Sequence, residues 1–289
     1  MAERKARLDV WAIMIDPNHN FALLLDLKRI ASFVLIGGFA VALAGELLLP
    51  TTDHRWGLRR LIHGSHNLLL WLAGIVVMSM VFGGTVWVLL QWLQFKRVGL
   101  LYLLALPVWA HAVLAFVLID ATDYIFHRLS HNVRWLWLLH AVHHSDPHVD
   151  VTTNLRQHPL HLICTQLWQL VAAAAIGVPA WVFLLHVIVN LAFAHLHHAA
   201  IRWPRWIDPL VTWLFITPRL HWNHHSPDPQ RTDSNYGVIL SVWDRWFGTY
   251  TPPAAESPEY GLHALDSPRW HSAWGMLLTP WRARGLRQL

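Results

Sequence analysis

Residues 160–195 read LHLICTQLWQLVAAAAIGVPAWVFLLHVIVNLAFAH, an apolar run interrupted once, at Gly177-Val178-Pro179. That tripeptide is a turn signal. The run is therefore expected to be a hairpin whose halves hold roughly 17 residues each, close to the minimum for crossing about 30 Å of hydrocarbon. A chain that goes down and comes back returns to the face it left. The segments on either side, His127 to His144 before and His198 to His225 after, should then meet on one face.

Upstream lie three more apolar segments, at residues 31–49 (ASFVLIGGFAVALAGELLL, with Glu46 near one end), 68–92 and 99–119. A spanning helix needs about 20 mostly apolar residues. The expectation is an all-α integral membrane bundle of about four to five membrane-embedded helices, capped by the histidine-rich segments. Composition agrees, with 55% hydrophobic residues, 19 Trp and only 13% charged, against about 25% charged in soluble domains. Cys164 is the single cysteine, which excludes a disulfide framework and a cysteine-ligated cluster.

The net charge of +5 comes from scattered Arg beside Trp, a pattern suited to lipid headgroups rather than nucleic acid. Of 22 Lys and Arg, 12 lie from Arg128 onward, and all 12 are Arg. The positive-inside rule places this histidine-bearing face in the cytoplasm. The orientation of the N-terminus stays open, because Arg4, Lys5, Arg7, Lys28 and Arg29 precede the first apolar segment; one early segment that is re-entrant or interfacial would accommodate them. The first twenty residues lack the apolar core and cleavage site of a secretory leader. With no repeat or flexible linker, residues 1–289 read as one domain, with a proline-rich loop at 252–258 before a Trp/Arg tail.

Nine of the 22 histidines fall in four clusters: His127/His131, His140/His143/His144, His198, and His221/His224/His225. Helix positions i, i+3 and i+4 share a face, so each HxxxH or HxxHH group aims its imidazoles at a common point. Neutral imidazole is a ligand for zinc, copper, iron and nickel. Nine convergent ligands exceed what one tetrahedral ion takes, which predicts two ions. The HxxHH triplet occurs twice, at His140 and again at His221, and this repetition is the most specific signal in the chain.

Around these lie candidate orienting groups. Asp120 and Tyr124 continue the face of His127 and His131, and His158 is a candidate tenth ligand or orienting residue. His195 shares a helical face with His198 while His197 points elsewhere; which of the three ligates is open, with His198 preferred. His161, His111 and His186 read as packing or hydrogen-bonding residues. His19, His54, His63, His66, His148, His263 and His271 carry no assignment.

Taken together, Asp120-xxx-Tyr124-xx-His127-Arg128-xx-His131, His140-xx-His143-His144-Ser145, Arg156-x-His158-Pro159-Leu160 and His221-xx-His224-His225 resemble the fatty acid hydroxylase and sterol desaturase superfamily. Asn235-Tyr236-Gly237 and Trp243-Asp244-xx-Phe247-Gly248-Thr249-Tyr250 resemble its C-terminal signature. The resemblance covers roughly residues 55–250, which would be the catalytic domain between an N-terminal segment (1–54) and a C-terminal tail (251–289). It implies two iron ions held by His127, His131, His140, His143, His144, His198, His221, His224 and His225, with Asn235 among the supporting residues. It also implies O2 as co-substrate and hydroxylation or desaturation of a lipid C–H bond, with no catalytic residue apart from the ligands.

A histidine-only shell suits a redox metal whose open positions take O2, and iron fits; zinc is the expected substitute in purified protein. The substrate would be an acyl chain, sterol, carotenoid or ether lipid reached from the bilayer. The chain has no GxGxxG fingerprint, flavin signature or cysteine set. Electrons are therefore expected from a separate ferredoxin or cytochrome b5-like donor, docked on a face that includes Arg202, Arg205, Arg219 and Arg245. The rival classes are a bis-histidine haem cytochrome, which needs single histidines facing across spans, and a metal transporter, which needs carboxylates and histidines along the middle of spans. The absence of HExxH argues against a zinc protease.

Overall fold

A computed structural model describes residues 17–51, 57–253 and 259–286. The leader reading, His54 and most of the 252–258 loop lie outside the described residues. Among those described, extended pairing is limited to two isolated bridges, Pro50 with Ile201 and Phe215 with Leu240; the rest is helix and connecting loop.

Helix α1 (Pro17–Phe33) passes through one π-helical turn, Val34–Gly38, into α2 (Phe39–Leu48). There follow α3 (Leu58–Val81), α4 (Thr85–Phe95), α5 (Val108–Asn132), α6 (Arg134–His144), α7 (Pro159–Ile176) and α8 (Ala180–His198). Five stretches are long and apolar enough to cross a membrane: Leu25–Leu48, α3, α5, α7 and α8. Their outer faces are apolar and uncovered, as at Met80, 80% exposed, and Val41, 74% exposed. Such surface suits hydrocarbon, because each helix satisfies its own backbone hydrogen bonds.

The hairpin turn falls where the sequence puts it. Gly177 closes α7 in the left-handed region at φ 87°, and Pro179 precedes α8. The upstream boundaries differ from the apolar windows. The 68–92 segment is two helices, α3 and α4, broken at a Gly83-Gly84 turn with Gly83 at φ 47°. Eleven residues rise about 16 Å, half the hydrocarbon thickness, so α4 does not cross. It packs at the bundle end away from the histidines, where the Gln94 side chain accepts from Ala180 N at 3.0 Å. The 99–119 segment becomes a spanning helix only at Val108, after Pro107, and runs on to Asn132. Hydropathy marks which residues sit in lipid, whereas proline and glycine mark where helical hydrogen bonding starts and stops.

Two contacts fix the direction of the first span. Leu49 O accepts from Arg202 N at 2.8 Å and Thr51 N donates to Ala200 O at 3.1 Å. Helix α2 therefore runs parallel to α8 and ends beside it. The five long stretches alternate, and the first begins on the face opposite the histidines.

The cap consists of α6, a 3-10 turn at Val151–Leu155, and the short helices α9 (Asp208–Val211), α10 (Pro218–His224), α11 (Pro229–Thr232) and α12 (Val242–Trp246), with α13 (Ala273–Arg282) near the C-terminus. Buried polar side chains lock it to the bundle. The Glu46 carboxylate accepts from Val151 N (2.7 Å) and Ala200 N (2.8 Å) and pairs with Arg60, which also donates to Asp150 at 3.1 Å. Arg156, fully buried, donates to Val142 O and Ser145 Oγ, both at 2.8 Å, and to Asn67 Oδ1 at 3.3 Å, and meets His271 Nδ1 at 3.1 Å.

Candidate metal centre

Helix α5 leaves the bundle carrying His127 and His131 on its last turns, and the chain reverses at Val133 into α6 with its His140/His143/His144 triplet. Helix α8 brings up His198. Pro218, at the first position of α10, starts a short helix that presents His221 and His224, with His225 just past its end. Each helical residue advances about 100°. Members i and i+4 thus lie about 40° apart and i+3 about 60° to the other side of i, so one triplet can serve two adjacent points.

The nine imidazoles form two groups whose ring nitrogens lie within 4.8 Å of one another: His127, His131, His140, His144 and His224 in one, His143, His198, His221 and His225 in the other. In the first group, Nε2 atoms follow one another from His144 to His140 (3.2 Å), His127 (3.1 Å) and His224 (3.0 Å). In the second they run from His225 to His221 (3.1 Å), His198 (2.9 Å) and His143 (3.1 Å). The two series match term by term: i+4 and i of one triplet, then a histidine of a spanning helix, then i+3 of the other triplet.

The proton positions make this arrangement unstable without a cation. His127 Nδ1 donates to Tyr236 O at 2.8 Å and His224 Nδ1 donates to Ser234 O at 2.7 Å. In a neutral imidazole the other nitrogen then carries a lone pair. Two lone pairs thus face each other 3.0 Å apart with no proton between them. His198 is held the same way, its Nδ1 donating to Ala194 O at 2.7 Å. Protonation is disfavoured: burial first, and then the neighbouring imidazoles, push His140, His143, His144, His221 and His225 well below their ordinary range. His224 is lowered too, by burial and then His127. His131 Nε2 and the Nδ1 atoms of His140, His144, His221 and His225 are buried without a hydrogen-bond partner. Neutral, desolvated nitrogens that converge are what a borderline divalent metal binds, and the residues fit two such ions.

The remaining sequence candidates lie outside the two groups. His158 caps α7, accepting from Leu160 N at 3.1 Å, and its Nε2 meets Leu277 O at 3.1 Å. His195 meets the Asn154 amide at 3.2 Å, and His197 Nε2 meets Ile216 O at 3.0 Å. Of the three neighbours only His198 enters a group. Asp120 accepts from Trp243 Nε1 (2.7 Å) and from the backbone of Ile239 and Leu240 (both 3.3 Å), and the Tyr124 hydroxyl meets Thr249 Oγ1 at 2.9 Å. Asn235, at φ 52°, donates to Thr251 O at 2.9 Å and Leu220 O at 3.3 Å. All three brace the 234–251 segment, whose carbonyls at Ser234 and Tyr236 orient His224 and His127. On the predicted docking face, Arg219 pairs with Asp208, and Arg245 lies over Tyr250 and Trp213, so both are engaged within the cap.

Sequence reasoning missed several supporting residues. Asp244 accepts from Tyr236 N and Gly237 N, both at 2.8 Å. His161, read from the sequence as a packing or hydrogen-bonding residue, stacks on His140, ring centroids 4.7 Å apart. His63 lies 3.3 Å from the buried Asp146, and His271 joins the Arg156 network. The Trp243-Asp244 pair points at the first of these; His63 and His271 are single residues without periodicity. Beneath the histidines, between α3, α5, α7 and α8, lies a cavity of about 320 Å³ bordered by His127, His140, His143, His198 and His221.

The family model for fatty acid hydroxylases matches residues 112–249, which contain all nine histidines. Alkylglycerol monooxygenase of Xenopus tropicalis is 36% identical over 155 residues, 53% of this chain and 33% of the relative. The Homo sapiens alkylglycerol monooxygenase is 29% identical over 177 residues, 59% of this chain and 38% of the relative. Ornithine lipid hydroxylase OlsE of Rhizobium tropici is 32% identical over 157 residues, 54% of this chain and 46% of the relative. The matched part thus spans between a third and a half of these curated relatives. No solved structure matches the chain.

Proposed function

Because the chain belongs to the fatty acid hydroxylase family through residues 112–249, we propose that it is a membrane-embedded di-iron oxygenase that hydroxylates a C–H bond of a lipid. The observation that carries this reading is the pair of interlocked imidazole groups, in which His127 and His224 aim lone pairs at each other across 3.0 Å.

His127, His131, His140, His144 and His224 would hold one iron, and His143, His198, His221 and His225 the other; zinc can occupy the same nitrogens in purified protein. Bound iron supplies O2 binding and activation, chemistry that no side chain here performs. The reaction balances as R–H + O2 + 2 e⁻ + 2 H⁺ → R–OH + H2O. The two electrons come from a separate ferredoxin or cytochrome b5-like protein at the arginine-bearing cap, which faces the cytoplasm. The 234–251 segment, braced by Asp120, Tyr124, Asn235 and Asp244, keeps the protons of His127 and His224 on Nδ1 and their Nε2 atoms toward the metal. The helix-lined cavity admits the lipid from the bilayer and keeps bulk water from the reacting carbon. Residues 55–250 form the catalytic domain.

Lipid mass spectrometry of cells with and without the gene tests this. The expected result is a +16 shift confined to one lipid class and lost in His140→Ala. A −2 shift would make the outcome desaturation, and an unchanged lipidome with a competent donor present would contradict the reading.

A further inference from the structure

The cavity has a second polar wall, away from the histidines. Asp123 precedes His127 by one helical turn on α5, which is about 6 Å of rise, and lines the same cavity with Gln169 of α7 and Asn190 of α8. Gln169 Nε2 donates to both Asp123 carboxylate oxygens, at 3.1 and 3.0 Å, and Asn190 Nδ2 reaches Oδ2 at 3.5 Å. His186 Nε2 stands 3.9 Å from Oδ2. Each carboxylate oxygen offers two lone pairs, so this donor set leaves acceptor capacity on the cavity side.

The contrast with Asp120, one turn earlier, is informative. The Asp120 carboxylate is taken up by Trp243 Nε1 and two backbone N–H groups of the cap. Asp123 braces no backbone; its hydrogen-bond partners are the amide side chains of Gln169 and Asn190, which border the same void, and the buried His186 stands between the two carboxylates, 3.8 Å from Asp120 and 3.9 Å from Asp123. A carboxyl group within a spanning helix is costly and by default marks a ligand path.

We propose that Asp123, Gln169 and Asn190 form a subsite for a lipid hydroxyl, so that the polar end of the substrate enters the cavity and its chain trails into the bilayer. At about 320 Å³ the cavity is near the lower limit of roughly 300–1,000 Å³ for ligand pockets. It takes a small hydroxylated headgroup and a few carbons, not a whole lipid. With the anchor one turn from His127, the C–H bond exchanged for C–OH lies within about five bonds of the anchored hydroxyl. The regiochemical half of this inference rests on the proposed oxygenase function; the binding half does not.

The test uses the full chain, metal-loaded, in nanodiscs, with hexadecane-1,2-diol and 1,2-dimethoxyhexadecane as probes. Equilibrium binding of the labelled compounds is expected to favour the diol by at least about tenfold, the factor given by roughly 1.4 kcal/mol. Asp123→Leu and Gln169→Leu are each expected to bring the two probes within about twofold while leaving the dimethoxy affinity unchanged. Asn190→Leu carries the same test where either fails to fold. Equal binding of both probes by the unmodified chain, or tenfold discrimination surviving in Asp123→Leu, overturns the subsite. Tandem mass spectrometry of the product is expected to place the new oxygen within five carbons of the diol; mid-chain oxidation overturns the inference and leaves the oxygenase standing. Diol-selective binding with no oxidation of either probe upholds the subsite and counts against the oxygenase.

Discussion

The imidazoles of His144 and His225 lie stacked, centroids 4.6 Å apart and 17° from parallel, although they belong to different nitrogen groups. Each is the last member of an HxxHH triplet. Helix α6 gives His140 and His144 to one group and His143 to the other, and α10 with the residue that follows it gives His221 and His225 to the second and His224 to the first. Neither triplet builds a site alone, so the two metal positions form or fail together.

His144→Ala removes one donor from the five-membered group and the stacking partner of the other. Metal analysis is expected to give fewer than two irons per chain, with turnover down at least about 100-fold, beyond the 10–100-fold typical of outer-sphere partners. The double variant His144→Ala/His225→Ala should be little worse than either single one, because residues acting as a unit are not additive. Full additivity in measured turnover would contradict the interlocked arrangement.

Asp244 touches no ligand but holds Tyr236 N and Gly237 N, and with them the carbonyl that receives the His127 proton. Asp244→Ala is expected to weaken iron binding by about 10–100-fold in a chelator competition, with the helical circular dichroism signal unchanged. Unaltered affinity would show that the 234–251 segment does not orient the site.

Arg156 is fully buried and joins α6, α3 and the C-terminal region through Val142 O, Asn67 and His271. Burial lowers its pKa and the Asp146 charge opposes that. Asp146 keeps His63 and Thr153, so Arg156→Ala costs chiefly the buried donors to Val142 O, Ser145 Oγ and Asn67 Oδ1, about 1–3 kcal/mol for each group left unsatisfied. A clear drop in the unfolding temperature is expected. Arg156→Lys restores the charge but not the forked donor geometry, so it should recover only part of the loss.

Acid should destabilise the metal-free protein in a defined window. Burial, and then the neighbouring imidazoles, hold His140, His143, His144, His221 and His225 well below the ordinary histidine value of 6.5, while the unfolded chain takes up protons near 6.5. Below that pH the unfolded state binds more protons, so stability is full above about 7.5 and falls as pH drops through 6.5 and lower. Thermal unfolding from pH 8 to 5 measures this, and iron loading should move the decline to lower pH because bound metal holds the rings neutral. A flat profile in the metal-free protein would mean that the rings are not buried together.

How far the sequence anticipates this molecule depends on whether a feature is periodic. The HxxxH and HxxHH spacings imprint helical geometry directly, and Gly177-Val178-Pro179 marks the hairpin because only a turn suits those residues. The exchange of His143 and His224 between groups depends on how α6 and α10 face each other, which no local spacing encodes. The anchors at Tyr236 O and Ser234 O are backbone atoms without a side-chain signature. Asp123, Glu46 and Arg156 are single polar residues whose partners come from distant segments, and the breaks at Gly83 and Pro107 sit inside apolar windows that hydropathy reads as continuous.

The account stands on two metal positions built from nine imidazoles, and counting metal tests it most directly. Purified protein reconstituted anaerobically with ferrous iron and freed of loose metal is expected to retain two irons per chain, lost together in His144→Ala or His225→Ala. Retention of fewer than one iron per chain, or of a single iron indifferent to both substitutions, would contradict it.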